Sequence, residues 1–210
     1  IIENLPVKKK LFSFSWRNNP SWLRENYQRN YLTKGFKDYN DNDLIMISDI
    51  DEIPNPKVIT KFNINNRYGC FIQKNFQSKI NLLNVTEPDW FGTKICVKKY
   101  LKSPQWLRNL KIKKKNIFKF YRPKPPQLIR DGGWHFSFLK KPTQISKKIK
   151  SYAHQEYNLE KFNKIENIEN KLKNKKDILG REYVYKKIEI DKSFPDFIVE
   201  HKEELKSWID

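Results

Sequence analysis

The chain has little cysteine, methionine or glycine: two, one and six among 210 residues. Cys70 and Cys96 make no C-x-x-C pair, so they give neither a zinc knuckle nor the frame of a disulfide scaffold, and they suit a reducing compartment. No apolar run approaches the roughly 18 residues that a membrane-spanning helix needs, so no membrane segment is expected within the chain. There is no internal repeat and no clear linker. A single domain over residues 1–210, long enough to bury a real core, is therefore expected. The first residue is Ile1 and not Met, so the sequence is expected to be part of a longer chain, with an upstream signal peptide or anchor left open.

Acidic residues are also in deficit, 24 against 43 basic, for a net charge of +19 and a pI near 9.8. That balance invites a nucleic-acid reading. Against it, the lysines are scattered through a chain also crowded with Asn and Ile, the trio that codon bias in an AT-rich genome supplies. The one dense cluster, K-I-K-K-K at residues 111–115, reads as a solvated loop. No specific nucleic-acid partner is expected, only weak salt-sensitive sticking. Attraction for anionic substrates such as nucleotide diphosphates follows from the same field. The sequon Asn84-Val85-Thr86 is explained by chance in so Asn-rich a chain.

What the chain does have is an apolar run, Leu44, Ile45, Met46 and Ile47, that ends in Asp49, Asp51 and Glu52. The run reads as a strand buried on both faces, and Pro54 and Pro56 forbid its continuation. In an open α/β sheet, ligands bind beyond the carboxyl ends of the strands. Three carboxylates placed there repel one another unless a cation sits among them. Hard oxygen ligands with room for water or phosphate suit Mg²⁺ or Mn²⁺. The plainer alternative is an acidic turn after a core strand.

In chain order, residues 1–5 read as the end of a strand and residues 8–16 as a basic, aromatic connector. A helix is expected from Pro20-Ser21, capped by Ser21 and closed by Gly35, with Trp22, Tyr27 and Leu32 on one face and Glu25, Arg29 and Asn30 on others. A short helix follows at 58–62, then strands at 68–73 and 79–85. Trp90-Phe91-Gly92-Thr93 reads as an exposed aromatic turn before a strand at 94–98. Trp90 is either a platform for the C–H face of a sugar or core. A short helix is expected at 105–110. Pro123, Pro125 and Pro126 then impose an extended approach to Asp131-Gly132-Gly133-Trp134-His135-Phe136-Ser137-Phe138. The paired glycines permit positive φ and close approach of backbone to a ligand. The alternation puts Trp134, Phe136 and Phe138 on one side and His135 and Ser137 on the other. Beyond lie a helix at 143–152 with Ile145 and Ile149 inward, an exposed charged helix at 160–177 ended by Gly180, an edge strand at 183–190 and a terminal helix at 198–208.

With these landmarks the chain resembles the glycosyltransferase family 17 proteins, of which the best-known member adds the bisecting N-acetylglucosamine to N-glycans. The resemblance rests on W-L-R-E-N-Y-Q-R-N from Trp22, I-S-D-I-D-E-I-P-N from Ile47, W-F-G-T from Trp90, G-G-W-H-F-S from Gly132 and S-Y-A-H-Q-E-Y from Ser151, in that order. It covers residues 1–160; residues 161–210 are a C-terminal extension. It implies an α/β, GT-A-like nucleotide-diphospho-sugar transferase fold. The family's further βα stretch, which builds part of the nucleotide pocket, would precede Ile1 and is expected to be missing here.

The resemblance also implies the chemistry: transfer of a sugar, N-acetylglucosamine from its UDP donor, to a glycan hydroxyl with inversion, through an oxocarbenium-like transition state. Asp49 and Asp51 would hold a divalent ion, with His135 as a third ligand or a diphosphate contact. Arg29 would contact the nucleotide or hold the Asp loop, and Glu52 would support the metal site. Trp90, Gly132, Gly133 and Trp134 complete the substrate-binding set. The base is expected at Asp131, with Glu156 and His154 as rivals. Such an enzyme would work in the cytoplasm, including at the membrane surface, if bacterial or viral, and in the Golgi lumen if eukaryotic. Two other readings remain: a metal-dependent phosphotransferase or nuclease, and a basic, non-enzymatic polyanion-binding module.

Overall fold

The computed structural model describes residues 20–36, 38–112, 126–151 and 155–210. The strand expected at 1–5, the connector at 8–16, Lys113 to Lys115 of the lysine cluster, Pro123, Pro125 and His154 lie outside the described residues. The fold is mixed α/β. Its described strands are β1 (Leu44–Ile47), β2 (Glu52–Pro54), β3 (Tyr68–Gln77), β4 (Leu82–Asn84), β5 (Asp89–Val97), β6 (Gln127–Ile129), β7 (Gly133–Ser137) and β8 (Tyr185–Lys187). The helices are α1 (Pro20–Tyr31), α2 (Pro104–Arg108), α3 (Pro142–Ser151), α4 (Glu160–Asn163), α5 (Ile165–Lys173) and α6 (Asp196–Glu200). Among the described residues no helix is long and apolar enough to cross a membrane.

β3, the longest strand, is the hub. It pairs antiparallel with β5 and β4, and parallel with β6 and β7. β1 pairs antiparallel with β5, β8 with β4, and β2 with β7. β1 was expected to be buried on both faces, and it is not. Ile45 and Ile47 pack on Tyr68, Cys96 and Leu107, Met46 on the opposite face is half-buried, and Leu44 is exposed. The reason is its place: among the described residues β1 has a neighbour on one edge only. Trp90-Phe91-Gly92-Thr93, expected as a turn, lies inside β5, where the register against β3 shifts between Cys70 and Ile72. Such a bulge re-aims side chains next to a site.

Trp22, Tyr27 and Leu32, expected on one face of α1, are split between its two sides. Tyr27 and Leu32 are about half exposed, whereas Trp22, Glu25 and Arg29 face inward. The helix buries a polar face because it has acids and α2 to meet there, as the next subsection describes. Pro20 opens it, so Ser21 sits inside its first turn, and a 3-10 turn (Leu32–Phe36) containing Gly35 follows it.

The charged stretch at 160–177, expected as one exposed helix, is two helices with a buried stripe. Ile168 packs with Ile145, Ile149 and Ile178, all fully buried. Lysine-heavy averages conceal an apolar residue every three or four positions. The terminal helix expected at 198–208 is a short α6 followed by turns and a 3-10 turn, Lys206–Trp208. Asn84 of the sequon is buried, and its Oδ1 accepts from the backbone N–H groups of Thr86 and Glu87 at 3.0 and 2.9 Å. It builds a turn, which agrees with the sequon's being accidental.

One enclosed carboxylate pins the segment between α5 and β8. Asp177 accepts from the backbone N–H groups of Leu179 and Arg181, from Arg181 Nε and Nη2 at 3.0 and 2.7 Å, and from Tyr185 Oη at 2.8 Å. Burial pushes its pKa up, but the donors from Arg181 and Tyr185 outweigh burial and hold it below the ordinary carboxylate value. A depressed folded pKa contributes stability above the unfolded value of 3.8, lost as pH falls through the folded value. Asp177→Asn is therefore expected to lower stability at neutral pH by about 3 kcal/mol, with the gap to wild type narrowing below about pH 4. Urea unfolding at both pH values checks this, and a loss independent of pH refutes it.

Candidate active site

The site forms where β1 hands the chain to the acidic turn. The turn closes on itself: the Glu52 N–H donates to the Asp49 carbonyl at 3.0 Å, and the Asp49 N–H donates to Glu52 Oε2 at 3.1 Å. β2 starts at Glu52 and pairs with β7, which sets Glu52 opposite His135. The three acids thus point in different directions from one short loop.

Glu52 is the innermost, with a fully enclosed side chain. Arg108, from α2, grips it with Nη1 on Oε2 at 3.0 Å and Nη2 on Oε1 at 2.9 Å, while Trp90 Nε1 donates to Oε1 at 2.9 Å. Arg108 also donates to Asp49 Oδ2 at 2.7 Å and to the Gly92 carbonyl at 2.8 Å. Burial opposes its charge, but Glu52 and Asp49 overcome this and raise its pKa. Arg29, from α1, takes the other Asp49 oxygen at 3.0 Å, with Glu25 at 3.1 Å and Gln105 behind it. That contact is the one that holding the Asp loop requires. The repulsion that the sequence assigned to a divalent ion is relieved by the chain's own guanidinium groups.

Asp51 is surrounded differently. Lys148 Nζ, from α3, stands 3.4 Å from its Oδ2, and His135 Nε2 stands 3.8 Å from its Oδ1. Burial drives the His135 pKa down to about 4, against the pull of Asp51, so the ring is neutral at neutral pH. Its tautomer follows from its neighbour. Asn75 Nδ2 donates to the Glu87 carbonyl at 3.0 Å, which turns Asn75 Oδ1 toward His135 Nδ1, 3.1 Å away. Nδ1 therefore carries the proton, and Nε2 presents a lone pair to a carboxylate oxygen. Two acceptors facing each other across 3.8 Å, one supported by an outer amide, suit a divalent cation. Among the described residues no three His, Cys, Asp or Glu side chains form a closed metal centre.

These groups border one cavity of about 490 Å³, with Trp22, Ile50, Glu87 and Arg181 also on its walls. Its size is that of an ordinary small-molecule site. Trp90 stacks flat on His135, with centroids 4.0 Å apart and an 8° interplanar angle, so one of its faces is spent on the imidazole. Trp134 is core: it packs with Phe76, Phe136 and Phe194, and its Nε1 donates to the Ser193 carbonyl. The diglycine serves close approach of backbone to backbone. A Cβ on Gly133, at φ +129°, would lie 2.0 Å from the Ile53 carbonyl oxygen, and one on Gly132 2.7 Å from the Ile72 nitrogen. Asp131 is exposed and borders a neighbouring cavity with Trp134 and Ser193, and Glu156 does not line the site cavity.

Arg108, Lys148 and Asn75 are site residues that the sequence reading did not single out. Arg108 did carry a signal. It is one of only eight arginines among 43 basic side chains, in a composition that otherwise supplies lysine. A fork that must grip two carboxylates cannot be replaced by an ammonium. Lys148 and Asn75 carried none, being common types at ordinary positions. Arg108→Lys is expected to destabilise the protein by about 3 kcal/mol despite keeping the charge, because Glu52 stays buried with its pairing broken. Denaturant unfolding tests this, and wild-type stability in that variant would contradict the central role given to the fork.

Neither the curated proteins nor the solved structures gave a match to the chain. A family model, described as Glycosyltransferase family 17, matches residues 7–196. That span takes in the acidic turn, both arginines that hold it, the diglycine strand and α3. By that match, over most of its length, the chain belongs to glycosyltransferase family 17.

Proposed function

We propose that this glycosyltransferase is metal-dependent and inverting, and moves N-acetylglucosamine from its UDP donor to a glycan hydroxyl on a GT-A-type frame. The family implies a sugar donor and a glycan acceptor. The observation that carries the finer reading is Asp51 Oδ1 facing the lone pair of His135 Nε2 at 3.8 Å, in a cavity that Arg29, Arg108 and Lys148 also border. Asp51 and His135 are the residues that would hold Mn²⁺ or Mg²⁺, which would neutralise the diphosphate as it leaves. Asp49, with a guanidinium on each oxygen, supports that pair by fixing the loop.

The remaining steps belong to the chain's own groups. Arg29 and Arg108 give the cavity a fixed positive wall, and Lys148, on a flexible stem, can turn from Asp51 toward a diphosphate oxygen. Direct displacement at the anomeric carbon needs a base that takes the acceptor proton. Asp131 and Glu156 lie off this cavity, whereas Glu87 borders it. Tyr183 Oη donates to Glu87 Oε2 at 2.6 Å, and Oε1 has no partner among the described residues. Glu87 is thus the base that the geometry favours.

A thermal-shift panel of nucleotide sugars, run with Mn²⁺ and again with EDTA, tests the donor without any acceptor. UDP-N-acetylglucosamine with Mn²⁺ is expected to stabilise the wild type, by about 2.7 kcal/mol at a hundred times Kd. The effect should vanish with EDTA or in Asp51→Asn. A folded protein that responds to no nucleotide sugar, or whose response ignores both EDTA and Asp51→Asn, would overturn the reading.

A further inference from the structure

A second cavity, of about 470 Å³, lies between the start of α3, the end of α5, β8 and the C-terminal turn. Seven of the 16 residues lining it are lysines, against one acid, Asp210. In a chain with 43 basic side chains in 210 residues, that density exceeds the scatter expected from composition. Three of the lysines are tied down. Lys79 Nζ donates to the Ser207 carbonyl, Lys171 Nζ to the Ile178 carbonyl, and Lys175 pairs with Asp210. The other four, Lys140, Lys141, Lys173 and Lys176, are exposed, and their ammonium groups make no ion pair or hydrogen bond among the described residues. Four unpaired ammonium groups round one hollow repel one another, and an anion relieves that repulsion.

Two further observations narrow the occupant. Trp208 and Tyr185 stand among the lysines on the cavity wall. Aromatic faces between cations suit a sugar ring that carries an acidic substituent, the ring packing by its C–H face and the substituent meeting ammonium. The site is also concave, which fits a segment of polymer and not a flat bilayer. Gln77 borders this cavity and the acidic-loop cavity alike, and is itself buried at 4% exposure. It is held there by Asp177 and Tyr185 and by its acceptance from the Ile178 N–H at 3.0 Å. The two cavities therefore share one side chain of their walls, and a chain resting among the lysines lies next to the acidic-loop cavity.

We infer that the lysine cavity is a binding subsite for an anionic glycan, one carrying carboxylate or phosphate groups, and that it orients such a chain as acceptor. The acceptor role rests on the neighbouring cavity being the place of transfer. The binding itself does not, so the experiment reads binding alone.

Calorimetric titration of the full chain near physiological salt would use hexagalacturonate as the anionic probe. Maltohexaose is the neutral control, and tripolyphosphate and phosphatidylglycerol vesicles are the non-glycan anions. Hexagalacturonate is expected to bind and maltohexaose not to. Combining Lys140→Ala, Lys141→Ala, Lys173→Ala and Lys176→Ala should weaken hexagalacturonate at least tenfold. The same change in net charge at Lys61, Lys99, Lys102 and Lys111, none of which lines the cavity, should cost less than threefold. Equal weakening by the two sets would mean non-specific attraction and overturn the inference. So would no binding of hexagalacturonate, or tighter binding of tripolyphosphate or vesicles that is lost in the cavity variant.

Discussion

A carboxylate with no exposed surface cannot remain charged without partners, and Glu52 is the one at the site. Its requirement sets the geometry of the site. Arg108 satisfies both oxygens and so brings α2 against β2; Trp90 satisfies one more lone pair and fixes β5; and the Asp49 N–H closes the acidic turn. Removing Arg108 strands a buried charge, a loss far larger than the net worth of the pair. Three segments remote in sequence, the acidic turn with β2, β5 and α2, are therefore held in mutual register by one side chain. The wall of Trp90, His135 and Asp49 that faces the cavity follows from that register.

The same requirement explains the polar inner face of α1. A helix in this position would ordinarily bury an apolar stripe. Here the surface it covers presents Asp49 and α2, so Arg29 goes inward with Glu25 beside it and Asn30 accepts from the Gln105 N–H. Tyr27 and Tyr31 are left on the outer side, their rings 6.1 Å apart. Of the large residues that the sequence puts on one face, Tyr27 and Leu32 face away from the site and Trp22 lines its cavity.

What could be read without coordinates had a local cause. The apolar run into Asp49, Asp51 and Glu52 became β1 and a cavity-lining turn, and the alternation after the diglycine put His135 and Ser137 on the cavity side of β7. Phe138 left the pattern because the strand ends at Ser137 and its φ turns positive. What could not be read depended on distant partners. The steric need of Gly132 and Gly133 looks the same in a sequence whether the approaching group is a ligand or, as here, the backbone of β2 and β3. Trp134 and Trp90 are the same residue type close to glycine in the sequence, yet one is core and the other stacks on the site histidine. Only Arg108 left a mark in the composition, as an arginine where lysine is the rule.

The cations around the acidic turn divide its two aspartates. Those on Asp49 are guanidinium groups: Arg108 also holds the buried Glu52 and the Gly92 carbonyl, so it cannot leave without stranding a buried carboxylate, and Arg29 is tied at the same time to Glu25 and Gln105. The cation on Asp51 is an ammonium at 3.4 Å, on a side chain 31% exposed, which among the described residues also stands over the face of the Phe138 ring. A single, partly solvated pair of that kind is held weakly and exchanges partners readily. An anionic ligand entering the cavity thus finds Asp49 unavailable and Asp51 adjustable. The asymmetry comes from the sheet: Asp49 sits over the α1–α2 side of the turn, whereas Asp51 faces β7 and α3, where the neutral His135 adds no competing charge. In a motif whose two acids look equivalent in the sequence, one holds the loop in place and the other is left free to engage what arrives.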